Sequence, residues 1–415
     1  MVSEPVRSRS AALRPIAGLV MGLVFLFGGL ATAAADSGFN AWVKGFRGEA
    51  LAAGVSAQTF DRAFAGLTPD PEILDKASNQ PEFVRPIGDY LNAAVTDSRI
   101  ETGREKAQEW KSWLDRIESR FGVDRHVILA IWGMESTYGA VLDNPRIVRN
   151  VIRSLATLAY KGGKRRKFGK TQLIAALMIL QRGDTIPARM TGSWAGAMGH
   201  TQFIPTTYNA YAVDIDSDGS RNIWTSIPDA LASTANYLSE SGWRTGETWG
   251  YEVLVPSTFD FAAADSDKSR TLAAWTRLGL RRTGGRSFPR PNDKATLMLP
   301  AGARGPAFLM LKNFRVIKRY NNADAYALAV GHLADRIRGG GTFERTWPAD
   351  DPPISSRKAI REMQALLSKR GFDTGGVDGR IGPKTRRAIR AFQKQSGMIP
   401  DAYPSARLLD LLRSG

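Results

Sequence analysis

The sequence has no cysteine among its 415 residues. This excludes a disulfide framework and a lipid-modified N-terminal cysteine, so stability must come from a large buried core. Acids are also in short supply, 40 Asp and Glu against 57 Lys and Arg, for a net charge of +17. No internal repeat and no long low-complexity segment is visible, which argues against solenoid and linker-like architectures.

The first residues carry Arg7, Arg9 and Arg14 against Glu4, followed by an apolar stretch from Ile16 to Leu30 and then Ala31-Thr32-Ala33-Ala34-Ala35. This has the layout of an export signal cut after Ala35. Pro15 to Ala35 is also just long enough to serve as an uncleaved membrane anchor. Removing three Arg and one Glu with residues 1–35 leaves a net charge of +15. A basic exported chain seeks a polyanion, and export argues against nucleic acid. The densest basic patch is Lys161-Gly-Gly-Lys164-Arg165-Arg166-Lys167, either a binding face or a solvated loop.

Residues 38–130 read as helical, with Trp42, Phe46, Phe60, Phe64, Trp110, Trp113 and Ile117 at helical spacing; Pro69-Asp70-Pro71 and Gln80-Pro81 mark turns. More helix follows to about residue 240, including one opened by Ser226. Tyr251–Val255, Ala295–Leu299 and Ala307–Leu311 are short apolar runs between Pro and Gly, predicting a small inserted sheet. Helix returns at Ala323–Ile337. Residues 339–353, rich in Gly, Asp and Pro, read as a linker. Residues 354–415 then form a separate unit with amphipathic helices around Arg361–Leu367 and Thr385–Gln393. The fold class is mainly α.

The chemically informative segment is Val127-Ile-Leu-Ala-Ile-Trp-Gly-Met-Glu135-Ser-Thr-Tyr-Gly139. It is apolar around its whole helical circumference, so the helix should be buried. A carboxyl at its end loses solvation, which raises its pKa and suits it to donate a proton near neutrality. The plainer alternative is a Glu at the rim of the core, paired or reaching water. Two further blocks follow: Gly192-Ser-Trp-Ala-Gly-Ala-Met198-Gly-His-Thr-Gln202-Phe-Ile-Pro205 and Arg319-Tyr320-Asn321-Asn322. In their order and spacing, the three blocks resemble the B-type lytic murein transglycosylases over roughly residues 38–338. The resemblance implies a lysozyme-like catalytic core at about 120–245, with a helical region before it and a β region at about 250–315. The Asp378-Gly-x-x-Gly-Pro-x-Thr385-x-x-Ala-x-x-x-Phe392-Gln393 pattern similarly resembles a three-helix peptidoglycan-binding module.

The family resemblance implies cleavage of the MurNAc–GlcNAc bond with Glu135 as a single general acid and base. The sequence itself offers only Asp143 and Asp124 near Glu135, at positions the family does not use. Ser193 and Gln202 match residues near the acetamido group and sugar, though Ser193 would equally cap a turn after Gly192. Asn321 matches a sugar-contacting amide. Tyr90, Tyr237, Tyr320 and Tyr326 match aromatics lining the glycan cleft, and Met198 is expected beside the catalytic Glu. Arg165 and Arg166 occupy the place of an arginine pair facing the stem peptide. The implied partners are glycan strands and stem peptides, bound by a periplasmic monomer; hydrolytic muramidase and non-catalytic wall scaffold are the competing readings.

One more motif is separable. Asp214-Ile-Asp216-Ser-Asp218-Gly-Ser220-Arg-Asn222 follows the spacing of an EF-hand loop, but Thr225 stands where the closing Glu belongs. Asp229 is the candidate to close it around one structural calcium ion, and a bare polar turn is the alternative. No organic cofactor is implied.

Overall fold

The computed structural model describes residues 30–78, 85–264 and 269–414. Residues 1–29 of the expected export signal and the Gln80-Pro81 turn lie outside the described residues. Among those described, no helix is long and apolar enough to cross a membrane.

Two helical cores stand side by side. The first surrounds helix Arg125–Ser136, whose residues 127–133 are all buried. Around it pack helices Ile87–Ala94, Asp97–Glu109, Lys111–Phe121, Ile227–Glu240, Lys312–Tyr320 and Asp324–Ile337. Such an all-apolar surface is stable only when enclosed, each buried Ile or Leu contributing about 1.5–3 kcal/mol. Asp124 starts the helix by accepting from the His126 N–H at 2.8 Å. Trp132 at its centre is 0% exposed, so truncation to Ala would cost about 3–5 kcal/mol.

The second core is built on the hairpin of Val151–Lys161 and Arg166–Arg182, joined by Leu30–Ala52, Ala57–Phe64, Pro71–Ser78 and Pro205–Tyr211. The aromatics expected here from their spacing do pair: Trp42 stacks on Phe46 at 5.1 Å and Phe60 on Phe64 at 4.2 Å. Tyr237 and Tyr320 pack against both cores and so mark the seam between them.

The inserted sheet is antiparallel and five-stranded, ordered Arg270–Thr271, Lys294–Met298, Ala307–Met310, Gly250–Leu254, Arg281–Arg282. The three expected strands form its middle; the two edge strands are only two residues long, too short to show as sequence runs. The sheet has its own core, with Trp275, Leu309 and Leu311 fully buried.

The C-terminal unit has helices Arg357–Lys369, Pro383–Gln395 and Ala406–Ser414 around Met363, Leu367, Ile389 and Leu408. It contains a repeated device that the sequence pattern does not announce. Buried Gln364 donates to Asp378 and accepts the Gly379 N–H at 2.8 Å; buried Gln393 donates to Asp401 and accepts the Ala402 N–H, also at 2.8 Å. Gly379 and Ala402 both have positive φ (76° and 63°). The unequal spacing between Gln and Asp hides the repeat in the sequence.

The linker is also docked rather than free. Phe343 stacks on His332 at 3.9 Å, and the backbone N–H groups of Glu344 and Arg345 both donate to Glu252 at 2.9 Å. Composition alone misses the docking because Phe343 and Trp347 are isolated in an otherwise polar segment.

Candidate active site

Glu135 lies in the last turn of helix Arg125–Ser136, and the chain beyond it turns sharply. Thr137, Tyr138 and Gly139 all have positive φ (52°, 55° and 92°). For a β-branched residue such as Thr137 this is a strained conformation, which persists only when its surroundings enforce it. Three contacts do so. The Ser136 hydroxyl donates to the His200 carbonyl at 2.7 Å and accepts the Gly139 N–H at 3.0 Å. The Trp132 indole donates to Nδ1 of His200 at 3.1 Å. The Tyr138 hydroxyl donates to the Arg99 carbonyl at 2.9 Å, while its ring fills space left by Gly133 and Gly103. Burial pushes the His200 imidazole down to about 4, so near neutrality the ring is uncharged and Nδ1 is free to accept. Sequence reasoning misses this lock, although His200 sits inside the quoted motif.

Glu135 is half-buried. Burial pushes its pKa up to about 7, opposed by the hydrogen bond that the Tyr326 hydroxyl donates to Oε1 at 2.6 Å. Tyr326 is itself buried, and its own pKa lies well above the usual phenol value, first through burial and then through the Glu135 charge. It is therefore a fixed donor. Among the described residues no carboxylate contributes to the Glu135 shift. Asp124 caps the opposite end of the same helix, about 16 Å away by the helical rise. That is far beyond the carboxyl separations of two-acid glycosidases, roughly 5–9.5 Å. Asp143 is exposed and acts on His200.

Tyr90 and Tyr320 both lie close enough to feel the Glu135 charge, though burial is the larger cause of their raised pKa values. Tyr320 donates to the Thr201 carbonyl, and Tyr237 to the Arg319 carbonyl at 2.6 Å. The two rings meet edge to face at 5.2 Å. With Gln202, Phe203, Ile204, Thr207 and Arg319 they line a cavity of about 220 Å³. Gln202 has φ 55° and donates from Nε2 to the Gly199 carbonyl at 2.9 Å. Asn321 is exposed just past helix Lys312–Tyr320.

The Ser193 hydroxyl accepts the Ala197 N–H at 3.1 Å, which is the turn-capping arrangement; as a hydroxyl it retains a hydrogen to donate. Met198 is 0% exposed within the second core, so its side chain offers no surface to a sugar in this conformation. Arg165 lies over the Trp194 ring at 5.2 Å, which ties the basic turn to this loop, whereas Arg166 is exposed.

The acidic loop and the start of the following helix bring four carboxylates together. Carboxylate oxygens of Asp214, Asp216, Asp218 and Asp229 lie within 4.8 Å of one another. Asp229 is buried and accepts from the Ile215 and Asn222 N–H groups at 2.9 and 2.8 Å. Burial pushes its pKa up to about 6, and Asp216 and Asp214 push in the same direction. Clustered carboxylates with oxygen ligands only suit a hard divalent cation. Thr225 is turned to Asn222 instead, and the Ser220 hydroxyl donates to the Asp184 carbonyl at 3.1 Å.

A carboxyl kept protonatable near neutrality and fixed by a tyrosine hydroxyl, in a mainly helical lysozyme-like frame, has what acid-catalysed glycan cleavage requires. Comparison with known proteins narrows the class: the chain belongs to the transglycosylase SLT domain family, whose model matches residues 38–335. A peptidoglycan binding domain model matches residues 356–412. The chain is similar to SltB3 from Pseudomonas aeruginosa, solved in complex with NAG-anhNAM-pentapeptide. The two are 51% identical, the match covers 90% of this chain and 99% of that one, and the TM-score is 0.85. It is 31% identical to the soluble lytic transglycosylase SltB1 from the same organism, covering 71% of this chain and 98% of that one, with a TM-score of 0.63. Membrane-bound lytic murein transglycosylase B of Escherichia coli (strain K12) is 30% identical over 253 residues, 60% of this chain; the match spans 66% of that relative's length.

Proposed function

We propose that the protein is a lytic transglycosylase that cleaves the β-1,4 bond between N-acetylmuramic acid and N-acetylglucosamine and leaves 1,6-anhydromuramoyl ends. The observation that carries this reading is a lone carboxyl, Glu135, with its pKa pushed up to about 7 and no second acid acting on it among the described residues. Protonated Glu135 gives its proton to the glycosidic oxygen as the bond breaks. The 2-acetamido carbonyl of the muramoyl residue stabilises the positive charge developing at C1. The carboxylate, steadied by the Tyr326 hydroxyl, then takes the proton from the same sugar's C6 hydroxyl as that oxygen closes on C1. One group serves both steps and no water is consumed. The closure gains from the high effective molarity of an oriented intramolecular nucleophile. The 51% identical SltB3, solved with NAG-anhNAM-pentapeptide, supports this choice over hydrolysis. The chemistry of the released chain ends tests it.

The remaining roles belong to the same reading. Tyr90, Tyr237, Tyr320, Gln202, Asn321 and Ser193 contact the glycan, Arg165 and Arg166 the stem peptide, and residues 354–415 bind the wall. Asp214, Asp216, Asp218 and Asp229, with Ser220 beside them, would hold one calcium ion. The ion would neutralise the clustered carboxylates and brace the turn before helix Ile227–Glu240, which carries Tyr237. The enzyme would act as a monomer in the periplasm after export by its N-terminal signal.

A further inference from the structure

The strap between the two matched domains touches the active-site wall. Trp347 and Phe343 pack against the same core as Ile87 and Tyr90. A Cβ built on Gly88 would stand 2.8 Å from Cγ and 2.9 Å from Cδ2 of the Trp347 indole. Gly88 lies within helix Ile87–Ala94 and is absent from the positive-φ glycines. Its backbone is therefore one that any residue adopts, and Gly there costs about 1 kcal/mol of helix propensity against Ala. Close approach of the indole is the reason for glycine at this place.

Both sides of the indole are anchored. Before it, Phe343 stacks on His332 of helix Asp324–Ile337 and meets Phe308 of the sheet at 4.9 Å. The Glu344 and Arg345 N–H groups are held by Glu252, and Glu344 accepts from the Gly284 N–H at 3.0 Å. Arg345 also donates to the Arg304 carbonyl at 3.1 Å. After it, Pro348 lies against Gly305, where an added Cβ would stand 3.3 Å from its ring. The strap thus joins the sheet, the helix that carries Tyr326 and the helix that carries Tyr90. Gly88 and Tyr90 are two residues apart on one short helix, so a shift of that helix against the indole moves the Tyr90 ring.

We infer that Trp347 is a positioning residue for the reaction: it seats helix Ile87–Ala94 so that Tyr90 holds its place beside Glu135. This rests on the transglycosylase reading only in taking Glu135 as the reacting group. It adds that the segment joining the two domains forms part of the catalytic frame.

A double-mutant cycle in the full-length protein tests this, read as kcat/KM on a small soluble muropeptide together with the melting temperature. Trp347→Ala should lower kcat/KM about tenfold when Tyr90 is present and less than about twofold in a Tyr90→Ala background, the non-additivity of residues that act through one another. Trp347→Phe, which keeps an aromatic face over Gly88, should restore most of the loss. Gly88→Ala, which forces the indole away from the other side, should reproduce it even if Trp347→Ala folds poorly. Equal losses in both Tyr90 backgrounds, or no loss in the folded Gly88→Ala protein, would overturn the inference. Failure of the acid assignment would show separately, as an active Glu135→Gln enzyme, whatever the cycle reports.

Discussion

Glu135→Gln separates the catalytic and structural consequences of one half-buried carboxyl. The amide keeps the size of the side chain and an oxygen to accept from Tyr326, whose hydroxyl lies 2.6 Å from Oε1. It cannot give a proton to a leaving oxygen or take one from a hydroxyl. General acid–base catalysis is typically worth about 10²–10⁴-fold, and in the proposed reaction one residue supplies both steps, so activity on sacculi should fall by about 10⁴ or more. Stability should move the other way. Burial raises the Glu135 pKa from 4.5 to about 7, and each unit corresponds to about 1.4 kcal/mol. Between these values the folded protein binds more protons than the unfolded chain, so wild-type stability falls as pH rises through this window. The cost is absent below about pH 4.5 and reaches about 3 kcal/mol above pH 7. The neutral amide of the variant would not incur it. Calorimetry should show nearly equal melting temperatures at pH 4.5 and a gain on the order of 4–6 °C for the variant at pH 8. An offset that is the same at both pH values, or a variant within tenfold of wild-type activity, would refute the reasoning.

Three other outcomes follow from the same geometry. Tyr326→Phe removes the donor that opposes the upward shift of the Glu135 pKa, so the pH at which kcat/KM declines should move upward from its wild-type value; an unchanged pH profile would show that the hydroxyl does not tune the acid. Deleting residues 350–415 should weaken binding to intact sacculi in a pelleting assay while sparing activity on small muropeptides, and undiminished pelleting would exclude the C-terminal unit as the anchor. Chelation should lower the melting temperature with little effect on the chemical step, and Asp216→Ala with Asp218→Ala should abolish that sensitivity; a melting curve indifferent to calcium would leave the acidic loop a bare turn.

The parts legible in the sequence are those written in contiguous or regularly spaced residues. The apolar run ending at Glu135, the three central strands and the Ser226-capped helix all announce themselves locally. The rest depends on distant partners. Tyr326 reaches Glu135 across 191 positions, and its hydrogen bond has no local sign. Ser136 and His200 look incidental in the sequence because their role lies in clamping a strained turn through a backbone carbonyl. Met198 is fully buried in the second core, an assignment that its Gly- and Ala-rich motif does not announce. Composition makes residues 339–353 look like a free tether, since two aromatic anchors cannot outweigh the glycines and prolines around them. The paired Gln–Asp clamps of the C-terminal unit are hidden because their spacing differs between copies.

The central claim is that one carboxyl performs both proton transfers and that the sugar's own C6 hydroxyl, not water, closes on C1. Mass spectrometry of the soluble products from purified sacculi tests this most directly. The account predicts muropeptides ending in 1,6-anhydromuramoyl residues, each one water lighter than its hydrolytic counterpart. Products carrying mainly reducing muramoyl ends would contradict it and identify the enzyme as a hydrolase built on the same frame.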